Sequence, residues 1–464
     1  MDFKKYINKY TLILFFSVFY FTVRAPFFNM GWDGSDANGL DVDMFVNHPQ
    51  KPNYLLIARM NGSDIYAPAF GHPAPMYGMF ISMGYVLQKF ENYHNLSDAQ
   101  IIYRAKVIAS IFQLLIFVLL LLIIFKDEKR NISPRKLLLY LGIFLVSLTP
   151  LAINNSNEFQ IDSLFGLAMV GSYCITLAAY LFKCISGKLF YILLFLSSVF
   201  IALGKNEWSL LLIISLIACS VYLLARKYLF KQDDDTIEPY KIIGISLLGC
   251  IFGNVLSYLF EASLYFSGWD LLFRMSKQSS IFSKDGIGKL ILVTQDRFIF
   301  IASLLAMIAY ATFIVIRNIK KIDSIVILSY FISVFFFFSF FLSTWGSFSR
   351  YFAPSFAALL ITMSVAYIKY QKPFNWKNAT LFGLVLFFIT YQSISYISDK
   401  KIKAQHTFGI RDISEIVADK SCVPMIPVED VYNKKTVDFV HLSMGMEAAK
   451  TIAKEYGKEI CPLN

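Results

Sequence analysis

The sequence predicts an all-α polytopic membrane protein, and its composition and its apolar runs lead to that prediction. The chain of 464 residues is 56% hydrophobic and only 16% charged, whereas soluble domains carry about 25% charged residues. Its apolar runs repeatedly reach about 20 residues, the length at which a helix crosses the ~30 Å hydrocarbon core of a bilayer. We therefore expect about eleven transmembrane helices.

The expected spans follow one another at short intervals, except after the first and the seventh. They cover residues 11–30, 104–125, 137–153, 160–182, 189–203, 208–225, 242–266, 297–316, 323–343, 351–370 and 378–397. The first apolar run is too long for a secretory signal and lacks a small-x-small cleavage site. We interpret it as an uncleaved first span.

Lysine and arginine are distributed unequally between alternate loops. The loops that follow the second, fourth, sixth, eighth and tenth spans are rich in these residues. The alternate short loops, 154–159, 204–207 and 344–350, contain only Lys205 and Arg350. Because cytoplasmic loops carry the excess of Lys and Arg, the N-terminus is predicted to be cytoplasmic and the C-terminus external.

Two of the external segments are long, residues 31–103 and 267–296. Pieces of the first, residues 52–60 and 75–90, have helical spacing, and we expect them to lie along the membrane surface. A polar tail, residues 398–464, follows the transmembrane domain of residues 1–397. It is short for a domain and would be only marginally stable alone.

The cysteines divide between the spans and the tail. Four of the six lie in or beside apolar runs, where a thiol behaves as a small hydrophobic group. Cys422 and Cys461 lie in the external tail, and we predict that they form a disulfide. No Cys/His spacing indicates a metal site. Clustered carboxylates are compatible with a divalent cation, but nothing requires one, so no cofactor is assigned.

The formal net charge of +11 first indicates cytoplasmic loops, as in other membrane proteins. The sequence contains no Lys/Arg-rich arm with interleaved aromatic residues, which argues against nucleic acid as a partner.

The first external loop begins with acidic residues and ends in a rigid turn. Asp33 and Asp36 directly follow the first span, and Gly-His-Pro-Ala-Pro, which contains His72, ends the polar interval. The two aspartates have two interpretations: they could be turn residues where a helix leaves the membrane, or they could be functional. A histidine between Gly71 and Pro73, such as His72, is more often a turn residue than a catalyst.

Further polar side chains gather at the predicted external ends of the spans. They are Asn154, Asn155, Asn157, Glu158, Asp162, Lys205, Asn206, Glu207, Glu261 and Arg350. Ionisable groups are costly at membrane depth and indicate function by default. We therefore expect a polar cup recessed into the outer leaflet.

Such a cup suits a lipid-linked sugar donor. Transfer from a polyprenyl phosphate needs a carboxylate to deprotonate the acceptor hydroxyl and cations to hold the phosphate. Asp36 or Asp33 would be the base, with Asp36 slightly preferred because Ala-Asn-Gly follows it and permits a turn. Lys205, Arg350 and Arg274 would bind the phosphate, although Lys205 could simply cap a tight turn and Arg350 could anchor its span by snorkelling.

These elements resemble the GT-C superfamily of polyprenyl-phosphate-sugar-dependent glycosyltransferases. The similar positions are the Asp33/Asp36 motif, His72-Pro73-Ala74-Pro75, and Arg350-Tyr351-Phe352-Ala353-Pro354. Less specifically, Asn157-Glu158 and Lys205-Asn206-Glu207 resemble positions in phage-type serotype-converting glucosyltransferases, which modify O-antigen. Gly34-Ser35 separates the two aspartates, whereas the family commonly has an Asp-Glu pair. The resemblance covers most of the membrane part and none of the tail.

The resemblance implies a GT-C-like enzyme of the bacterial inner membrane that transfers a hexose to O-antigen or a similar cell-surface glycan, on the periplasmic face. Its partners would be a polyprenyl-phosphate sugar donor, a glycan or glycolipid acceptor, and membrane lipid. Besides catalytic Asp36 or Asp33, the implied substrate-binding residues are His72, Asn157, Glu158, Asp162, Lys205, Glu207, Arg274, Arg350 and Tyr351.

Two alternatives stay open. An O-antigen polymerase or ligase would share many spans and is expected to carry more arginines in its external loops. A lipid-linked glycan transporter or flippase predicts broken helices at matching positions of two halves, with charges at mid-membrane.

Overall fold

A computed structural model describes most of the helical part of the chain. The described residues are 8–28, 54–60, 63–68, 98–128, 132–157, 162–230, 238–260, 298–342 and 352–370, with short pieces at 262, 265–266, 269, 391, 421–423 and 457–460.

Helices make up nearly all of these residues. In chain order they are α1 (Lys9–Phe28), α2 (Asp98–Ile124), α3 (Pro134–Ser147), α4 (Pro150–Asn157), a π-helical turn (Asp162–Gly166), α5 (Leu167–Leu181), α6 (Gly187–Gly204), α7 (Asn206–Phe230), α8 (Glu238–Phe260), α9 (Phe298–Arg317), α10 (Ser324–Leu342) and α11 (Ala353–Tyr370). The described strands are β1 (Tyr54–Met60), β2 (Ser63–Pro68), β3 (Cys422–Val423) and β4 (Glu459–Ile460).

Within the described residues, 6 helices are long and apolar enough to cross a membrane. They cover Lys106–Ile124, Leu164–Leu181, Gly187–Gly204, Asn206–Tyr228, Glu238–Phe260 and Ala353–Tyr370. Leu304–Arg317 and Ser324–Phe338 are shorter apolar helices. The chain is therefore a predominantly helical membrane protein. The number of about eleven spans remains a prediction, and the span expected at residues 378–397 lies outside the described residues except for Tyr391.

Helices α5 and α11 form the centre of the bundle, and most of their residues are buried. Small residues bring them together: a Cβ placed on Gly171 of α5 would lie 3.5 Å from the Cβ of Ala357 in α11 and 2.9 Å from Ile116 Cδ1 in α2. Between apolar helices, where lipid is as apolar as protein, such close backbone approach supplies much of the packing energy.

Helices α6 and α8 run parallel in close contact along a small-residue stripe of α8. A Cβ on Gly249 would lie 2.7 Å from the carbonyl oxygen of Phe195, and one on Gly253 would lie 2.7 Å from that of Val199. Each step of four residues along α8 therefore matches a step of four along α6. Both helices consequently end at the same end of the bundle.

The expectation of a surface helix over residues 52–60 is wrong. Tyr54–Met60 forms β1 and pairs antiparallel with β2, with Met60 opposite Ser63. Only Asn61 and Gly62 connect the strands, and Asn-Gly is the strongest two-residue hairpin signal, because both turn positions need positive φ. Residues 75–90 lie outside the described residues.

The segment expected to span at residues 137–153 is divided. Helix α3 ends at Ser147, Leu148 and Thr149 form a turn, and Pro150 begins α4. Proline disfavours the α conformation of the preceding residue and is well suited to the first position of a new helix. The Thr149 hydroxyl caps α4 by accepting a hydrogen bond from Ala152 N at 3.3 Å. The sequence therefore restarts the helix rather than extending it.

Basic residues cluster at one end of the bundle, which we call the Lys126 end. Lys126 Nζ donates to the carbonyl oxygens of Phe182, at 2.9 Å, and Lys183. Arg226 donates to the carbonyl oxygen of Ile322 at 2.8 Å, and Lys369 pairs with Asp323 at 2.9 Å. Cations bound to terminal carbonyls complement the negative ends of helix dipoles.

The described part of the tail consists of two short strands. β3 and β4 pair in parallel, with Cys422 opposite Glu459. Cys422 is disulfide-bonded, whereas Cys174, Cys184, Cys219 and Cys250 are free. β4 ends one residue before Cys461, which lies outside the described residues, so the predicted Cys422–Cys461 pairing stays a prediction.

Candidate functional site

The end of the bundle opposite Lys126 is organised around a tightly packed tryptophan. Helix α6 stops at Gly204, Lys205 is extended with φ −147° and ψ 144°, and α7 begins at Asn206. A Cβ on Gly204 would lie 2.5 Å from Trp208 Cζ3, so only glycine leaves space for the ring at this position. We call this region the Lys205 end.

Trp208 also lies against a segment that is distant in sequence. A Cβ on Gly166, the last residue of the π-helical turn, would lie 2.7 Å from Trp208 Cζ2 and 2.8 Å from Pro354 Cγ. Trp208 therefore packs against the π-helical turn at Gly166, and the first turn of α11 packs against the same glycine. π-Helical turns are rare in proteins, and many of those that do occur lie at functional sites.

The described candidate residues converge on this end. Asp162 begins the π-helical turn, which packs against α4, where Asn157 is the last residue, and against α6 and α11. Lys205 and Glu207 flank the start of α7. The other candidates lie outside the described residues: Asp33, Asp36, His72, Glu158, Arg274, Arg350 and Tyr351. Phe352, which directly follows Tyr351, is buried beside this end.

Lys205 is a buried cation in the extended link between two helices. Its side chain is 8% exposed, and its Nζ lies 5.6 Å from the centroid of the Trp208 ring. A lysine ammonium at this distance from an indole face is attracted by the ring quadrupole. The half-buried Glu207 lies in the first turn of α7, where the helix dipole favours a carboxylate.

Beside Lys205, amide and hydroxyl side chains link α7 to α8; we call them the Tyr265 cluster. Asn206 Nδ2 donates to the carbonyl oxygen of Tyr265 at 3.1 Å, and the Tyr265 hydroxyl donates to Asn254 Oδ1 at 3.3 Å. Asn254 Nδ2 donates to Ser209 Oγ at 2.6 Å. Asn206 Oδ1 and Ser257 Oγ, in contrast, are buried atoms that have no hydrogen-bond partner among the described residues.

A second polar group, which we call the Arg24 cluster, contains a residue that the sequence analysis did not identify. Arg24, one turn before the end of α1, is 0% exposed. Its Nε donates to Ser156 Oγ at 2.6 Å, and its Nη2 donates to Gln113 Oε1 at 3.1 Å and to the Ser147 carbonyl oxygen at 2.8 Å. Arg24 therefore joins α1 to α2, to the last residue of α3, and to α4.

The partners of Arg24 are themselves connected. The Tyr20 hydroxyl donates to Gln113 Oε1 at 2.7 Å, and Gln113 Nε2 donates to the carbonyl oxygen of Ala152 at 3.0 Å. Ser110 Oγ donates to the carbonyl oxygen of Ser156 at 2.8 Å. Among the described residues, no carboxylate pairs with Arg24, so aligned carbonyl, amide and hydroxyl dipoles solvate its charge. An arginine inside an apolar run, with its high insertion cost, is the sequence signal that marks this position.

Within the parts of the chain that the structure describes, no three His, Cys, Asp or Glu side chains converge in a way that could hold a metal ion.

The fold and the site define a helical membrane protein with buried polar groups at one end of its bundle. Comparison of the chain with protein-family models, with curated proteins and with solved structures gave no match.

Proposed function

We propose that this protein transfers a hexose from a polyprenyl-phosphate donor to a surface glycan, and that the Lys205 end binds the donor. The observation that carries the proposal is that three separate segments meet around Trp208 and Gly166. They are the π-helical turn that begins at Asp162, the Lys205 link, and the start of α11 after Arg350 and Tyr351. A buried cation beside polar side chains is the environment that a phosphate at the membrane surface requires.

In the proposed reaction, an acceptor hydroxyl attacks the anomeric carbon of the hexose. The bond between that carbon and the phosphate oxygen breaks, polyprenyl phosphate leaves, and a glycosidic bond forms with inversion. Asp36 or Asp33 accepts the proton of the attacking hydroxyl, and Lys205 and Arg350 stabilise the phosphate as its charge increases. The polyprenyl chain remains in the surrounding lipid.

The distribution of cations supports a reaction on the periplasmic face. Lys126, Arg226 and Lys369 lie at the opposite end of the bundle from Lys205. The positive-inside rule assigns a Lys/Arg-rich end to the cytoplasm, which makes the Lys205 end external. This orientation suits a lipid-linked donor rather than a nucleotide sugar.

One observation favours a lipid-linked glycan transporter as the second candidate. The break between α3 and α4 lies against Arg24, and transporters bind their substrates at discontinuous helices. The two functions differ in chemistry: a transporter moves an intact lipid-linked glycan, whereas a transferase produces free polyprenyl phosphate and a longer acceptor.

The deciding experiment measures transfer by the purified protein in lipid vesicles. Short-chain polyprenyl phosphates carrying labelled hexoses are supplied with a glycan acceptor, and labelled glycan is counted. Asp33→Asn and Asp36→Asn are tested separately. The variant that removes the catalytic carboxylate should lower the rate by about 10²–10⁴-fold, as expected for loss of a general base. Asp41→Asn and Asp43→Asn are the matched controls from the same loop, and they should retain activity.

Wild-type rates in both Asp33→Asn and Asp36→Asn would contradict the assignment of the base. Transport of intact lipid-linked glycan without any transfer would favour the second candidate. A change in glycan chain length instead of loss of one sugar would indicate the polymerase or ligase alternative.

The phosphate site is tested separately. Lys205→Met should weaken productive use of the donor, whereas Lys188→Met, at the exposed other end of α6, should not. Arg350→Lys should stay impaired, because a lysine cannot copy the bidentate fork that arginine offers a phosphate. Full activity of Arg350→Lys would contradict phosphate binding by Arg350 and would indicate that this residue only anchors its helix at the membrane interface.

A further inference from the structure

Asn206 Oδ1 and Ser257 Oγ, which have no hydrogen-bond partner among the described residues, lie at the same level of the bundle. Helices α7 and α8 are antiparallel, and Asn254 of α8 contacts Ser209 of α7 at 2.6 Å. Asn206 lies three residues before Ser209, and Ser257 lies three residues after Asn254. Both residues therefore lie about one helical turn from the observed contact, in the direction of the Lys205 end. In antiparallel helices this register places Asn206 and Ser257 opposite each other.

The packing of α6 gives the same register independently. Gly249 and Gly253 of α8 lie against residues 195–198 and 199–202 of α6. The next step of four residues puts Ser257 opposite residues 203–206, which include the Lys205 link. Ser257 therefore faces the junction between α6 and α7 and not lipid, in agreement with its 1% exposure.

Buried polar atoms normally have a hydrogen-bond partner, but neither of these two atoms has one among the described residues. Asn206 is 4% exposed, and its amide orientation is fixed because Nδ2 donates to Tyr265 O at 3.1 Å. Its Oδ1 is therefore the free acceptor, and Ser257 Oγ offers both a donor and an acceptor. Leaving such a group unsatisfied costs free energy, so a buried unpartnered pair calls for a ligand or bound water.

Aromatic residues are linked to this pair by the chain and by a hydrogen bond: Tyr258 directly follows Ser257, and Tyr265 supplies the carbonyl oxygen that Asn206 binds. The ring centroids of Tyr258 and Tyr265 are 6.1 Å apart, and Phe266 lies 5.8 Å from Tyr258. Trp269 lies 6.4 Å from Tyr265. The C–H face of a pyranose packs well on the electron-rich faces of such rings. Hydroxyl-binding atoms beside aromatic rings are a combination that suits a sugar better than an isolated water molecule.

We propose that Asn206 Oδ1 and Ser257 Oγ form a hydroxyl-binding subsite that recognises the hexose of the lipid-linked donor. The inference rests on the proposed function. Lys205 and Asn206 are consecutive in the chain, so the phosphate and sugar subsites are adjacent, as they must be for a hexose attached directly to phosphate. Asn206 accepts a hydrogen bond from one hydroxyl of the hexose, and Ser257 bonds to a neighbouring hydroxyl.

The test measures equilibrium binding of short-chain polyprenyl-phosphate hexoses to the purified full-length protein in detergent, together with its thermal unfolding. Ser257→Ala should weaken binding roughly three- to ten-fold, the effect of one hydrogen bond. Its unfolding temperature should stay the same or rise, because the variant lacks the unsatisfied hydroxyl. Ser215→Ala is the matched control: Ser215 is equally buried, but its hydroxyl donates to Leu211 O of its own helix at 2.7 Å.

Deoxy analogues of the donor identify the hexose hydroxyl that Ser257 binds. The analogue lacking that hydroxyl should bind the unaltered protein and Ser257→Ala equally weakly, whereas the other analogues should still distinguish the two proteins. The series with the unaltered protein also tests the subsite without relying on the folding of a variant.

Unchanged donor affinity in Ser257→Ala, combined with equal affinity of all deoxy analogues for the unaltered protein, would overturn the subsite and leave a buried water as its occupant. If the unaltered protein binds no polyprenyl-phosphate hexose, the proposed function fails, and the subsite fails with it.

Discussion

The Arg24 guanidinium lies over the ring of Tyr20, one helical turn earlier in α1, with its central carbon 3.5 Å from the ring centroid. Arg317 of α9 has a similar relationship with Phe313, at 5.9 Å. The two pairs differ in environment, because Arg24 is buried among four helices whereas Arg317 is exposed. Cation–π attraction is worth about 0.5–1 kcal/mol at exposed sites and about 2 kcal/mol or more when desolvated.

Arg24→Met should therefore strongly destabilise the protein. The substitution leaves Gln113 Oε1, Ser156 Oγ and the Ser147 carbonyl without the donor that they share. Each buried polar group left unsatisfied typically costs about 1–3 kcal/mol. Thermal unfolding in detergent measures the effect, and Arg317→Met is the control, with little change expected. Equal unfolding temperatures for the two variants would show that the Arg24 cluster does not hold α1 against α4.

Gly204→Ala should displace Trp208 and loosen the Lys205 end. The added Cβ would lie 2.5 Å from Trp208 Cζ3 and 3.0 Å from Met169 Sδ, and overpacking of this kind costs about 1–3 kcal/mol. Gly187→Ala, at the other end of α6, is the control because its Cβ would meet no atom within 4 Å. Unfolding temperature and tryptophan fluorescence together report the displacement; an unshifted spectrum with full stability would contradict it.

Reporter fusions should reveal a cytoplasmic Lys126 end. Fusions after Lys136, Lys231 or Lys321 are expected to report cytoplasm, since the loops there carry the Lys/Arg excess. Fusions near Asp43, near Lys284 or at the C-terminus are expected to report periplasm. A periplasmic result for the segment predicted as the loop at residues 225–241 would contradict the predicted orientation and would place the Lys205 end in the cytoplasm.

The tail cysteines should resist thiol labelling until they are reduced. Cys422 is disulfide-bonded, and a bridge to Cys461 would close a loop of about 40 residues, worth about 3–4 kcal/mol in the chain-entropy estimate. The measurement uses denatured, unreduced protein in which Cys174, Cys184, Cys219 and Cys250 are replaced by alanine. Labelling of both remaining thiols before reduction would refute the bridge, whereas labelling only after reduction is the expected outcome.

Much of the helical framework is predictable from the sequence for a physical reason. In lipid, each backbone N–H and C=O must be satisfied within its own segment, so a spanning helix is specified by local length and apolarity. The expected spans at residues 189–203 and 208–225 thus correspond to α6 and α7, and Lys205 lies between them. Local sequence also explains two departures from the expected helices. Asn61-Gly62 specifies a hairpin where helical spacing predicted a surface helix, and Pro150 restarts a helix where apolarity predicted one continuous span.

The partners of the polar side chains were decided only by the tertiary structure. Arg24 and Ser156 are 132 positions apart in the chain, and Asn206 meets the carbonyl of Tyr265 across 59 positions. Such contacts depend on which small residues let two helices approach and on the register in which they pack. The sequence by itself determined that polar residues gather at the ends of apolar helices. The packing around Trp208, Gly249 and Gly253 decided which of them meet, because the energy of these contacts belongs to pairs of helices and not to any single segment.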